Sequence, residues 1–305
     1  MAISAKDVME LRKQTDCGMM ECKKALTQAD GDFEKAIEIL REQGLAAANK
    51  KAGRIAAEGM VYAVSFDNCA VVVEVNAETD FVAKNDKFVA FVKEATQVIM
   101  KQNPADVEAL MACKTESGET VDEALKNLIL VIKENIKIRR FVRYEGVCSA
   151  YVHGGGTHGI LVNFETTNDI DAKDEFVAYG KDIAMQVAAA NPSYVDEASV
   201  PAEVVAKEKE IMLAQMAGDP KNANKPEAVK QKMIEGKIKK FFKENCLVDQ
   251  EFVKDGDLSV AQYTAKVAKD LGGDIKIVKF TRFQKGEGLE KRADDFAAEV
   301  ASMVK

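Results

Sequence analysis

The spacing of apolar positions changes along the chain, and the changes divide it. Over the first fifty residues they recur three and four apart: Val8 and Leu11, then Cys22, Ala25 and Leu26, then Phe33, Ala36, Ile37 and Leu40. That spacing predicts three short helices with one apolar stripe each. Ser4 with Asp7 gives the first a capping-box-like start, Gly18 opens the second, and Asp32 caps the third. Three such stripes bury one another as a compact bundle, whose small core makes it marginal alone. Residues 45–54, rich in Ala and Lys, read as a hinge or linker.

Beyond the linker the period shortens to two. Residues 60–66 and 70–76 read as strands around an Asp67-Asn68 turn, 88–100 and 121–135 as helices, and 136–144 as a strand. The run 128–132 belongs in a core. Glu58-Gly59-Met60-Val61 opens one strand pair and Glu145-Gly146-Val147-Cys148 another. The first leads to Asp86-Lys87-Phe88-Val89-Ala90-Phe91, the second to Asp174-Glu175-Phe176-Val177-Ala178-Tyr179. This is a duplicated strand–strand–helix unit, repeated just under ninety residues on. Each sheet needs a helix on its apolar face, so two packed α+β subdomains are expected.

Pro192 ends the second of those helices. Residues 199–217 and 227–242 are helical with a thin seam, Val204 and Ile211 against Ile234 and Ile238, and charges elsewhere. Helices so polar fit an antiparallel coiled-coil hairpin projecting from the body, each arm roughly 25 Å long. A helix at 258–271 precedes a strand at 275–283 that alternates cleanly. Gly286-Glu287-Gly288 breaks it, and a last helix presents Phe296, Val300 and Met303 for docking. The expected fold is α+β: a three-helix bundle with linker (1–54), core subdomains (55–144, and 145–192 with 243–285), a hairpin insertion (193–242) and a C-terminal module (286–305).

Composition narrows the function. The net charge of −7 makes a nucleic-acid backbone a poor default partner, and the absence of Trp argues against base-stacking platforms. No apolar run approaches the ~20 residues of a membrane span. Six scattered cysteines after a start without a signal-peptide pattern predict reduced thiols in the cytoplasm. His153 and His158 flank a glycine-rich turn without other ligands at metal spacing, so a plain hairpin turn is the simpler reading. The glycines make no P-loop, no nucleophile elbow is present, and Cys17 and Cys22 have the wrong interval for a redox pair. Nothing calls for a cofactor or a bound metal. A binding protein is favoured over an enzyme.

One segment asks for explanation: Glu74-Val75-Asn76-Ala77-Glu78-Thr79-Asp80-Phe81-Val82-Ala83-Lys84. Thr79 or Asp80 can cap the next helix while Phe81 plugs the core. The duplication argues partly against this, because the matching Glu165-Thr166-Thr167-Asn168-Asp169-Ile170 lacks the Asp-Phe-Val. A plug the scaffold requires should recur, whereas a grafted contact need appear once.

These residues, with Leu11-Arg12-Lys13-Gln14-Thr15-Asp16-Cys17-Gly18-Met19-Met20 and Gly286-Glu287-Gly288-Leu289-Glu290-Lys291, carry a resemblance to the bacterial elongation factor Ts family along nearly the whole chain. The resemblance implies a bundle similar to ubiquitin-associated domains and a coiled-coil insertion, and it leaves open a homodimer through that hairpin. It implies a guanine-nucleotide exchange factor that binds elongation factor Tu carrying GDP and speeds GDP release. Thr79, Asp80, Phe81 and Val82 would intrude on the partner near its magnesium. Arg12, Met19, Met20, Lys23, Ile132 and His153 would make further contacts. Lys133 replaces the family's usual Gly, and Thr157 and His158 replace its Arg and Ile. Competing readings are an adaptor binding through the bundle without exchange, an RNA binder using the basic strand at 137–143, and, weakest, a metal hydrolase at the two histidines. The first of these is the alternative that remains.

Overall fold

In the computed structural model, which describes residues 3–15, 17–218 and 225–290, the first three helices start at their expected caps. α1 (Ala5–Thr15) opens on reciprocal bonds: the Ser4 N–H donates to Asp7 Oδ2 at 3.0 Å and the Asp7 N–H to Ser4 Oγ at 3.2 Å. α2 (Met19–Gln28) follows Gly18, and α3 (Phe33–Lys51) begins at Asp32, whose carboxylate accepts from the Glu34 and Lys35 N–H groups. Val8, Leu11, Cys22, Ala25, Leu26, Ala36 and Leu40 meet in one buried cluster.

β1 (Glu58–Phe66) and β2 (Cys69–Ala77) are joined by Asp67 and Asn68 at φ 44° and 54°, the tight turn that two short polar residues tolerate. Then come α4 (Asp86–Gln102), α5 (Val107–Ala112) and α6 (Val121–Ile132), before β3 (Lys137–Glu145) returns antiparallel along β2. The second sheet is built from β4 (Val147–His153), β5 (His158–Thr166) and a distant strand, with α7 (Asp174–Ala190) following β5. Between them lie α8 (Ala202–Gly218), α9 (Glu227–Asn245), the small β6 (Glu251–Phe252) and β7 (Asp255–Ser259) pair, and α10 (Val260–Leu271). β8 (Ile275–Gln284) closes the order β4-β5-β8. The architecture is a mixed α+β fold with small antiparallel sheets. Most of the expected C-terminal docking helix lies outside the described residues.

Residues 45–54 do not form the expected linker. α3 runs unbroken to Lys51, as its Ala- and Lys-rich sequence favours, and it lies on α6. A Cβ at Gly44 would stand 3.3 Å from the Lys126 carbonyl oxygen, so glycine permits the close approach. Leu130 of α6 completes the bundle's cluster. The small core that three helices provide is thus enlarged by a fourth.

The two sheets pack face to face through Val61, Ala63, Ala70, Val72, Leu161 and Phe283. α4 and α6 cover the outer face of the first over Val71, Val73 and Val75. α7 and α10 cover the second over Ile160, Val162 and Phe164. β2 is therefore buried on both sides, as its apolar run from Cys69 to Val73 requires. The strand at 275–283 does not alternate cleanly. Asn163 pairs with Lys279 but Phe164 with Ile277, leaving Val278 as a bulge. Ile277 faces the outer cluster before the bulge and Phe283 the inner one after it, because an extra residue exchanges the faces.

A second bulge has a larger effect. Glu74 pairs with Arg140 and Val75 with Ile138, so Arg139 is extra. Both arginines consequently reach the fully buried Glu74: Arg139 Nη1 at 3.0 Å and Arg140 Nε at 2.6 Å. Asn76 Nδ2 donates at 3.1 Å and the Gly286 N–H at 2.8 Å. Arg140 also stacks over Phe283 at 4.1 Å and pairs with Glu287 at 3.3 Å. Burial alone raises the Glu74 carboxyl, but Gly286, Arg140, Asn76 and Arg139 outweigh it and hold the group below its ordinary 4.5.

α8 and α9 run side by side, with Met216, Ile234 and Ile238 buried between them and Val205, Met212, Met233 and Phe242 alongside. The first arm's seam is Val205, Met212 and Met216 rather than Val204 and Ile211, and Ile211 faces outward at 39% exposure. A helix turned by one residue satisfies the same sparse pattern.

Two outcomes follow for stability. Gly159→Ala puts a methyl 2.4 Å from Val61 Cγ1 and 2.9 Å from Val72 Cγ2, so urea unfolding should show a loss of about 1–3 kcal/mol. Glu74→Gln should be less stable than wild type at neutral pH. A depressed carboxyl contributes fully above its unfolded value, near 4.5, and loses that contribution as pH falls through the folded one. The gap between the two proteins should accordingly narrow below pH 4.5, read from chemical unfolding at a series of pH values.

Candidate functional site

β2 ends at Ala77, and the chain makes a short loop, 78–81, before a 3₁₀ turn (Val82–Lys84) and α4. The cap of α4 is Asn85, whose Oδ1 accepts from the Lys87 N–H at 3.0 Å and the Phe88 N–H at 3.4 Å. Thr79 and Asp80 are thereby free of the capping role that the pattern allowed them. Val82 is 5% exposed and joins the core under the first sheet, while Phe81 is 79% exposed. The plug is Val82, and its counterpart in the second unit is Ile170, also buried and also opening a 3₁₀ turn. Where the first unit has Phe81, the second has Asp169 at φ 52°. The scaffold repeats and the exposed aromatic does not.

The loop is held from the end of α6. That helix stops earlier than its apolar period suggests: Lys133 takes a left-handed φ of 67°, with its N–H on the Ile129 carbonyl. The turn directs Glu134 at the loop. Glu134 Oε2 accepts from the Glu78 N–H at 3.1 Å and the Thr79 N–H at 3.0 Å, and Oε1 from the Thr79 hydroxyl at 2.7 Å. Glu78 answers in kind, accepting from the Asn135 N–H at 2.6 Å and from Arg54 Nη1 at 3.3 Å. Two carboxylates from distant segments each hold backbone of the other's segment. Glu78, Glu134, Asn135 and Arg54 carry no sequence signal for this, since no period or spacing relates them.

Among the described residues, an ion pair joins the bundle to this region. Lys133 Nζ donates to Glu21 Oε1 at 2.7 Å, and that bond lowers the Glu21 carboxyl below its ordinary value. Glu21 follows Met19 and Met20, exposed at 48% and 62%. Lys23 and Arg12 are exposed as well, and Arg12 and Met19 line one shallow groove with Met9. Ile132 is half-buried against the core cluster, immediately before Lys133. Among the candidate residues, these are linked to the loop through 132–134.

His153 sits on a different element, the tip of the β4–β5 hairpin, exposed, with its Nδ1 3.0 Å from the Tyr151 hydroxyl. Gly154, Gly155 and Gly156 all have positive φ (58°, 64° and 101°), which a Cβ would strain. The tip packs on β1, where the Val61 N–H donates to the Gly156 carbonyl at 2.8 Å. The His153 and His158 rings lie 6.2 Å apart, and burial, then Arg282, pushes His158 below its ordinary value. Among the described residues, no three of His, Cys, Asp or Glu are grouped to hold a metal ion, and no helix is long and apolar enough to cross a membrane.

Comparison with known proteins gives the setting: translation elongation. A family model described as Elongation factor TS matches residues 78–287. The chain is 48% identical over 309 residues to the elongation factor Ts of Syntrophotalea carbinolica, covering all of both chains. It is 47% identical over 308 residues to that of Clostridium perfringens and 46% over 308 to that of Clostridioides difficile, covering 99% of each chain in both cases. The chain belongs to the elongation factor Ts family.

The contrast between Phe81 and Val82 can be measured without any partner. Phe81→Ala should change unfolding free energy by no more than about 0.5 kcal/mol, as for an exposed site. Val82→Ala should cost about 2 kcal/mol through lost burial and the cavity left behind. Equal costs for the two would contradict the burial described.

Proposed function

We propose that this factor promotes GDP release from elongation factor Tu by pressing the tip of the 78–81 loop against the partner near its magnesium and nucleotide. The observation that carries the reading is Phe81, 79% exposed on a loop whose backbone is already tied down. An apolar ring left in water gains on burial, roughly 1.5–3 kcal/mol for a Phe. A loop ordered beforehand loses little entropy when it binds. At about 1.4 kcal/mol per tenfold, the ring alone supports ~10–150-fold weaker GDP binding.

Tight magnesium–GDP binding needs more than that, and Asp80 beside the ring is the group to supply it by disturbing the shell around the ion. Thr79 and Val82 fix the loop from either side. Arg12, Met19, Met20 and Lys23 on the bundle, with Ile132 and His153, make the remaining contacts that keep the factor bound while the site is strained. The factor forms no covalent bond and works on the partner's magnesium rather than one of its own. Linkage requires reciprocity: GDP must weaken factor binding by the same coupling energy. A factor that bound both forms equally would shift nothing. The reading carries with it a cytoplasmic site of action and the five-part division of the chain.

The test is release of a fluorescent GDP analogue from elongation factor Tu. Wild type should accelerate release strongly, Phe81→Ala should lose most of the acceleration, and Asp80→Ala should lose less. Excess magnesium should slow all three. Release at the spontaneous rate with wild type would rule out exchange and leave the adaptor reading in its place.

A further inference from the structure

We infer that Glu134 is a positioning residue for the exchange loop, an inference that rests on the exchange reading above. Glu134 touches neither nucleotide nor ion in that reading, and its whole action passes through Thr79 and the loop. One carboxylate receives three hydrogen bonds there: the Glu78 and Thr79 N–H groups at 3.1 and 3.0 Å on Oε2, and the Thr79 hydroxyl at 2.7 Å on Oε1. Bonds to an ionised acceptor are stronger than neutral ones. They fall on the two residues just before Asp80 and Phe81, so they set the direction in which those side chains leave the loop.

The fixing is reciprocal. The Asn135 N–H on Glu78 Oε1, at 2.6 Å, ties the segment bearing Glu134 back to the loop it holds. The left-handed turn at Lys133 aims Glu134, and the Lys133–Glu21 pair joins that turn to the bundle. Without Glu134 the loop retains Phe81 but must be ordered on the partner, at a cost in backbone entropy. The contacts on the bundle are untouched. The loss therefore belongs in the rate of release by bound factor, not in how much factor is needed to bind.

The experiment measures release of the fluorescent GDP analogue from elongation factor Tu over a range of full-length factor concentrations, giving a maximal rate and a half-saturating concentration. Glu134→Ala should lower the maximal rate ~10–100-fold, the scale of lost hydrogen bonds to a charge. Its half-saturating concentration should stay within about threefold of wild type, because the other contacts remain. Glu134→Gln should recover most of the loss. Its amide oxygen can take both N–H groups, and the Thr79 hydroxyl can accept from its NH₂. In a Phe81→Ala background, Glu134→Ala should add less than about twofold, since a residue that acts by presenting Phe81 has nothing left to present. Should Glu134→Ala fail to fold, Thr79→Val removes the hydroxyl alone and should give the same pattern, smaller. Multiplying losses in the double variant, or a shift in half-saturation with the maximal rate intact, overturns the inference. A slow Phe81→Ala beside a normal Glu134→Ala overturns it alone. A normal Phe81→Ala overturns the exchange reading and this inference with it.

Discussion

The buried carboxylate of Glu74 is the constraint from which much of the arrangement follows. A charge removed from water between two sheets is tolerated only with good geometry and a full set of donors. Here the donors come from three places: Asn76 on the same strand, Arg139 and Arg140 on the neighbouring strand, and the Gly286 N–H beyond the second sheet. Satisfying one group thus fixes the bulge in β3 and the path of the chain after β8. It also fixes the last residues of β2, from which the 78–81 loop departs. The sheets approach closely because Gly159 has no side chain over Val61 and Val72. A buried charge and a missing methyl act on the same interface, one setting its register and the other its spacing.

The internal duplication gives the molecule its own control. Val82 and Ile170 occupy the same place, each buried and each opening a 3₁₀ turn before a long helix. Both loops are tied to the chain behind them. In the second unit the Asn168 amide donates to the Gly272 carbonyl and the Asp274 N–H to the Thr167 hydroxyl, both at 2.8 Å. What differs is the residue at the tip, a phenylalanine in solvent in one copy and an aspartate in the other. The scaffold needs neither, and it is on this contrast that the role proposed for the first loop rests.

Much of this was legible in the amino-acid pattern. The stripes of the bundle, the Asp67-Asn68 hairpin, the repeated unit and the singular Asp-Phe-Val all stand in the sequence because they are local or periodic. The two bulges were not legible. Alternation cannot show that Val278 or Arg139 is supernumerary, since only the partner strand decides it. The hairpin seam was misphased because a polar helix with few apolar residues has several nearly equivalent faces. The Ala- and Lys-rich segment after Gly44 suited a helix as well as a linker, and its packing on α6 decided between them. The carboxylate pair at Glu78 and Glu134 was invisible for a simpler reason: two glutamates far apart in the chain have no signature until the fold brings them together.

The unbroken α3 has a mechanical consequence. At about 1.5 Å per residue, a helix from Phe33 to Lys51 is a rod that begins in the bundle and lies along α6. A flexible tether would let the bundle search space and would absorb any pull on it. A rod does neither, and the helix it lies against ends at Ile132, two residues before the carboxylate that grips the loop. From the bundle to the loop the connection therefore runs through packed helix, α3 against α6, with no flexible segment between them.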